Sequence, residues 1–250
     1  MSARPLLEIR GLTKVFGGFT AVAEVDLVVW PGTIHSVIGP NGAGKTTLFR
    51  VLTGAHRPTG GTVRFDGRDM TGAPPHVVSR RGLTQSFQVT NVFPRLTVLE
   101  SVQVATMARH RRSGDFVSAR WRRMAGEATE LLDEVGLSAA ADAQAQTLSH
   151  GDQRILEVAL ALATRPRLLL LDEPTAGMSP AETARMVGLV TGLAKARDLA
   201  VVLCEHDIGI VFGISHEVTV LHRGRVIAHG PPADVQADPL VAEVYLGGEE

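Results

Sequence analysis

The sequence contains one cysteine, Cys204, among its 250 residues. A single cysteine excludes an intrachain disulfide and fits a reducing compartment. No uninterrupted apolar run approaches the roughly 20 residues that a membrane-spanning helix requires. The first ten residues are interrupted by Arg4, Pro5 and Glu8, which leaves no secretory signal pattern. Any membrane role must therefore come through partner chains. A strong charge of either sign is also missing. The net charge is -1 and the pI about 6.8, so the composition implies no overall attraction to nucleic acid or to a membrane surface. Internal repeats and low-complexity tracts are absent as well.

What remains is a chain that is 44% hydrophobic, enough for a substantial core in one large domain or two small ones. Short apolar runs recur between turn signals. Residues 25–30 and 33–38 flank Pro31-Gly32, which reads as a hairpin turn. Residues 62–65 form another expected strand. The runs 168–171, 199–204 and 218–221 are apolar enough to be buried on both faces, as parallel strands are. Helical stretches separate them, so the fold class is α/β. Ser149 is expected to cap a helix through Ile155, Leu156, Ala159, Leu160 and Ala163. Ser179-Pro180-Ala181-Glu182 is a capping box with proline at the first helical position. From Val98 onward the middle of the chain reads as a helical insert. Its arginine-rich segment, residues 109–123, is either a solvated helix face or a contact for anionic lipid headgroups or a membrane partner.

The chemistry begins at Gly39-Pro40-Asn41-Gly42-Ala43-Gly44-Lys45-Thr46, followed by Thr47. This matches GxxxxGK[ST] in full, after an apolar strand and before a helix, the context that the motif needs. Glycines allow backbone N–H groups to curl around phosphate oxygens, and the helix N-terminus adds partial positive charge. Lys45 is expected to pair with the β- and γ-phosphates and Thr46 to place its hydroxyl on Mg²⁺. Downstream, four leucines lead into Asp172-Glu173. Asp172 suits a strand-end carboxylate near the metal. Glu173 would point elsewhere and can orient and deprotonate the attacking water. A third segment, Leu148-Ser149-His150-Gly151-Asp152-Gln153, precedes that pair.

Together these segments resemble the ATP-binding cassette (ABC) ATPases over essentially the whole chain. The resemblance implies a phosphate-loop core of the RecA-like kind, an antiparallel β subdomain and a helical subdomain. The core spans about residues 1–90 and 147–250, with the insert at 91–146, in a single domain. It further implies ATP and Mg²⁺ as ligands, Gln88 as the metal- or water-binding glutamine (with Gln85 a rival) and His206 as the histidine facing the γ-phosphate. Phe16 would stack on adenine, and Ser149 and Gly151 would reach the γ-phosphate of ATP bound to a second ATPase subunit, the same chain or a sister chain. The chain departs from the family pattern at His150, Asp152 and Ser179, and these departures fall on contacts between subunits.

A narrower resemblance rests on Phe16-Gly17-Gly18 with Ala21-Val22, on Pro94-Arg95-Leu96-Thr97-Val98 and on the ending Tyr245-Leu246-Gly247. These look like the ATP-binding subunits of branched-chain amino acid importers and of related systems for urea or short amides. That resemblance implies two permease partners and, indirectly, a periplasmic solute-binding protein, with the chain at the cytoplasmic face of the inner membrane and no nucleic acid. Two other readings stand beside it. One is the ATPase of an exporter of the lipopolysaccharide type. The other is a soluble ABC ATPase, a class that usually carries two cassettes or long coiled-coil inserts, neither of which is present here.

Overall fold

The computed structural model describes residues 4–86, 95–109 and 118–246. Gln88, Pro94 and Gly247 lie outside the described residues, as do the side chains of the arginine-rich stretch. The chain begins with strands β1 (Leu7–Phe16), β2 (Phe19–Val29) and β3 (Ile34–Ile38), then helix α1 (Lys45–Leu52). Strands β4 (Gly60–Phe65) and β5 (Arg68–Asp69), helix α2 (Pro75–Arg80) and strand β6 (Leu83–Gln85) follow. Helices α3 (Val98–Arg109), α4 (Ser118–Val135) and α5 (His150–Leu162) lead to strand β7 (Leu168–Asp172). The remainder is helix α6 (Pro180–Arg197), strand β8 (Ala200–Cys204), helix α7 (Ile208–Ile214), strands β9 (Glu217–His222) and β10 (Arg225–Gly230), and helices α8 (Pro232–Gln236) and α9 (Pro239–Leu246).

Two sheets result. The first is antiparallel in the order β2-β1-β4-β5, and the second runs β10-β9-β3-β8-β7-β6. In the second, β9, β3, β8, β7 and β6 are parallel and β10 closes the edge antiparallel to β9. The leucine run explains why β7 sits inside this sheet. Leu168 and Leu170 point into the core shared with β1, β2, β4 and α1, whereas Leu169 and Leu171 point into the core shared with α3, α4, α5 and α6. A strand apolar on both faces needs cover on both, and a parallel sheet with layers above and below supplies it. In α4, Ala128, Leu131, Leu132 and Val135 recur at helical spacing and are all buried. Helix α3 starts where Thr97 and Glu100 satisfy each other's backbone N–H groups, at 3.1 and 2.8 Å.

The Pro31-Gly32 turn is not a hairpin. Strand β2 pairs with β1 in the antiparallel sheet, while β3 pairs with β8 and β9 in the other. Thr33 N–H still reaches Trp30 O at 3.4 Å, and Gly32 has φ 66°. Proline followed by a positive-φ glycine is the pattern of a type II turn, which splays the flanking strands instead of twisting them together. All five residues of β3 are buried, so it gains more between two parallel neighbours than at a hairpin edge. Strands β1 and β10 are also not evident from apolar runs. In β1, the inward residues Leu7 and Ile9 are thrown out of step with Leu12 by a register shift around Gly11, which has φ 56°.

Candidate nucleotide site

The phosphate loop connects β3 to α1. Its glycines adopt positive φ, 153° at Gly39, 77° at Gly42 and 108° at Gly44. Gly39 has a second reason to lack a side chain, because a Cβ there would lie 2.1 Å from Leu221 O. Lys45 is only 7% exposed. Its ammonium donates to Gly39 O at 2.5 Å and to Pro40 O at 3.2 Å, so it lies across the loop's own carbonyls. Asn41, Gly42 and Thr46 are exposed, Pro40, Gly44 and Thr47 half-buried, and Gly39 and Ala43 buried. The loop thus offers its polar rim outward from a fixed base.

Asp172 ends β7, 5% exposed, opposite Cys204 of β8. Burial, with Glu173 next, pushes its carboxyl above the usual range, and Lys45 draws it back. Its Oδ2 is buried without a hydrogen-bond partner among the described residues. A buried, unpartnered carboxylate oxygen near a phosphate loop fits a divalent cation. No cluster of three His, Cys, Asp or Glu side chains stands ready for a metal among the described residues. Mg²⁺ needs none, since it takes one or two protein ligands and fills its shell with phosphate and water.

Glu173 follows with φ 51°, in the left-handed region. Its N–H donates to Cys204 O at 2.9 Å. Its carboxylate meets His206 Nε2 at 2.9 Å, with both side chains partly open to solvent. The structure therefore brings together the two residues expected at the γ-phosphate, from the ends of adjacent strands. Phe16 lies at the end of β1 and is 40% exposed. His56 meets its ring edge-on at 5.2 Å, and Lys14 Nζ stands 4.7 Å from its centroid. The ring is held in place and still accessible, as a base-stacking surface requires. Gln85 is part of β6 and pairs with Leu170 of β7.

Ser149 caps α5, its Oγ accepting from Asp152 N–H at 3.1 Å. The three departures from the family pattern interlock here. His150 Nε2 donates to Ala176 O at 3.2 Å. Asp152 pairs with Arg185 of α6. Ser179 caps α6 in a complete capping box with Glu182. Sequence reasoning found that box and missed its second use. Glu182 Oε1 also accepts from Gly151 N–H at 3.2 Å and from Ser149 Oγ at 3.4 Å. These bonds, those from Ser179 above all, hold the Glu182 carboxyl below the usual range. A Cβ on Gly151 would lie 2.6 Å from Glu182 Oε1. A side chain at position 151 would therefore displace the Glu182 carboxylate from these bonds.

Sequence reasoning also missed Glu205, which is buried between Thr175 and His206. It follows the β8 strand without a motif of its own.

A strand-to-helix phosphate loop, a strand-end acidic pair and a histidine one strand away define a nucleotide-hydrolysing protein of the phosphate-loop class. The comparisons narrow the class. Residues 22–176 match the family described as "ABC transporter". Residues 225–250 match "Branched-chain amino acid ATP-binding cassette transporter". The chain is 42% identical to the high-affinity branched-chain amino acid transport ATP-binding protein BraF of Pseudomonas aeruginosa, over 98% of this chain and 99% of that one. It is 39% identical to LivG of Escherichia coli, with the same description and the same shares. An ATP-binding cassette of an ABC transporter solved in its ADP conformation superposes with a TM-score of 0.86, at 29% identity, over 98% of this chain and 99% of that one. A dimeric cassette in a post-hydrolysis state, bound to ADP and Pi, superposes at 0.77 with 25% identity, over 90% of this chain and 98% of that one. The chain belongs to the ABC transporter family, as an ATP-binding ATPase component. Among the described residues no helix is long and apolar enough to cross a membrane.

Proposed function

We propose that this chain is the energy-coupling ATPase of a branched-chain amino acid importer. The observation that carries the reading is its 42% identity to BraF across nearly the full length of both chains. The match of residues 225–250 to a branched-chain amino acid cassette family supports it. The names of these relatives favour it over an exporter or a soluble ABC ATPase. In this reading two permeases hold the chain at the cytoplasmic face of the inner membrane, and a periplasmic binding protein delivers the solute. Residues 91–146 form the helical insert that docks on the permeases, and the remainder forms the nucleotide-binding core.

ATP lies on the phosphate loop with adenine against Phe16, Lys45 on the β- and γ-phosphates, and the N–H groups of Gly42, Gly44, Thr46 and Thr47 around the oxygens. Thr46 and Asp172 are the residues that would hold Mg²⁺, together with Gln88. When bound, the ion neutralises charge on the phosphate oxygens. Glu173 accepts a proton from the attacking water, and His206 orients that carboxylate and then faces the γ-phosphate. Ser149 and Gly151 offer the α5 N-terminus to ATP held by a second ATPase subunit. A phosphate arriving there takes over donors that Glu182 now occupies. One chain thus contributes to two sites, and ATP joins two subunits.

The reading is tested by deleting the gene and measuring uptake of labelled leucine, urea and acetamide. Loss of leucine uptake with the other two unchanged is expected; unchanged leucine uptake refutes the substrate class. The two-subunit site has its own test. Ser149→Arg should lower hydrolysis by about a hundredfold, the scale of losing a transition-state contact. ATP binding to the isolated chain should stay at the wild-type level. Equal losses in both would place Ser149 in its own chain's site instead.

A further inference from the structure

We propose that Glu205 is a positioning residue for ATP hydrolysis, tying the loop that carries His206 to the turn that follows Glu173. The inference rests on the reading of Glu173 and His206 as the hydrolytic pair. Strands β7 and β8 end side by side, and beyond their last paired residues, Asp172 and Cys204, the chain splits into two loops. One loop carries Glu173 and the other His206. Glu205 lies between them at 4% exposure. It shares a small pocket with Leu203, Met186, Val190 and Ile214, so its surroundings are largely apolar.

A carboxylate in such a place is costly unless hydrogen-bonded. Glu205 is bonded at both oxygens. Oε1 accepts from Thr175 N–H at 2.9 Å and from Thr175 Oγ at 2.6 Å. Oε2 accepts from His206 N–H at 3.2 Å. Each of these three partners donates to the carboxylate. Charge-assisted bonds of this kind are stronger than neutral ones, and low local dielectric strengthens them further. The carboxylate therefore fixes the His206 backbone relative to Thr175.

The consequence extends past the pair. Ala176 N–H donates to Glu173 O at 3.2 Å, and Ala176 O accepts from His150 Nε2 at 3.2 Å. A continuous set of contacts thus runs from His206 through Glu205, Thr175 and Ala176 to His150 at the start of α5. It links the hydrolytic pair of one nucleotide site to the segment offered to the other. Among the described residues, the hydrogen bonds of the Glu205 carboxylate go to Thr175 and His206, and none goes to the phosphate loop or to the Glu173 side chain.

The test compares Glu205→Gln, Thr175→Val and the double variant in the assembled transporter. ATP turnover is measured against ATP concentration, and nucleotide affinity with a fluorescent ATP analogue. A glutamine keeps the size but brings an NH₂ group against a donor. Glu205→Gln should lower kcat about tenfold with nucleotide affinity within about twofold, because a misplaced base slows chemistry without weakening binding. Thr175→Val keeps the backbone donor and should lower kcat about threefold. The double variant should be no slower than Glu205→Gln, as expected for residues acting through one contact. Wild-type kcat in Glu205→Gln, parallel loss of kcat and affinity, or multiplied effects in the double variant would each overturn the proposal. If Glu205→Gln does not fold, Thr175→Val decides alone: a lower kcat at unchanged affinity supports the link, and an unchanged kcat refutes it. A Glu173→Gln control separates the two readings. Turnover in that control removes the hydrolytic assignment, whereas a dead control beside an unimpaired Glu205→Gln removes only the role of Glu205.

Discussion

Glu173→Gln stops ATP turnover and leaves ATP binding intact. The substitution removes a proton acceptor and almost nothing else. Glutamine keeps the length and shape of the side chain and can still meet His206, which now stands 2.9 Å from the carboxylate. The backbone that aims the side chain, φ 51° with its N–H on Cys204 O, is untouched. Loss of a positioned general base costs about 10²–10⁴-fold in rate. Phosphate release should fall by at least the lower figure, with nucleotide affinity unchanged. The uncleaved nucleotide then keeps two subunits together, so light scattering with ATP should report a lasting dimer. Wild-type turnover in this variant would assign the base elsewhere.

Lys45→Ala abolishes nucleotide binding at ordinary concentrations. The ammonium is nearly buried and spans the loop through Gly39 O and Pro40 O. It holds those carbonyls, and in the proposed site it also meets the β- and γ-phosphates of ATP. Each hydrogen bond to a charged group contributes about 1.5–3 kcal/mol, so losing one to each of the two phosphates in the proposed site weakens ATP binding by at least about a hundredfold. Equilibrium binding of a fluorescent ATP analogue measures this directly. An affinity within a few-fold of wild type would mean that the backbone N–H groups alone carry the phosphates.

How far the sequence could be read depended on how local each feature is. The phosphate loop is contiguous, and its glycines are demanded by backbone angles and close approaches within one turn of chain. The caps at Ser149 and Ser179 are equally local, and both form. The four leucines before Asp172 announce a two-sided strand because no other element buries every successive residue. Reading failed where partners are distant. Glu173 and His206 meet only because β7 and β8 are neighbours, which the resemblance supplied and apolar periodicity could not. Glu205 follows an ordinary strand, and its partner Thr175 is 30 residues away. Glu182 was legible as half of a capping box, but its reach to Gly151 depends on how α5 and α6 lie against each other. The Pro31-Gly32 turn was found, and only the destination of the strands was mistaken. Turn chemistry specifies a change of direction without naming the sheet that receives the next strand.

The alternate leucines of β7 have one more consequence. A strand clamped from both faces exposes its amides to solvent only when both cores open, so local opening costs nearly as much as unfolding the whole molecule. Asp172 and Glu173 are mounted at the end of that strand. The α5 N-terminus, where Ser149 and His150 are exposed and Asp152 pairs with Arg185 near the surface, should open at a lower cost than that strand. In the proposed mechanism the chemistry is thus mounted on a two-sided core strand, and the contact with a second subunit on a more exposed helix start.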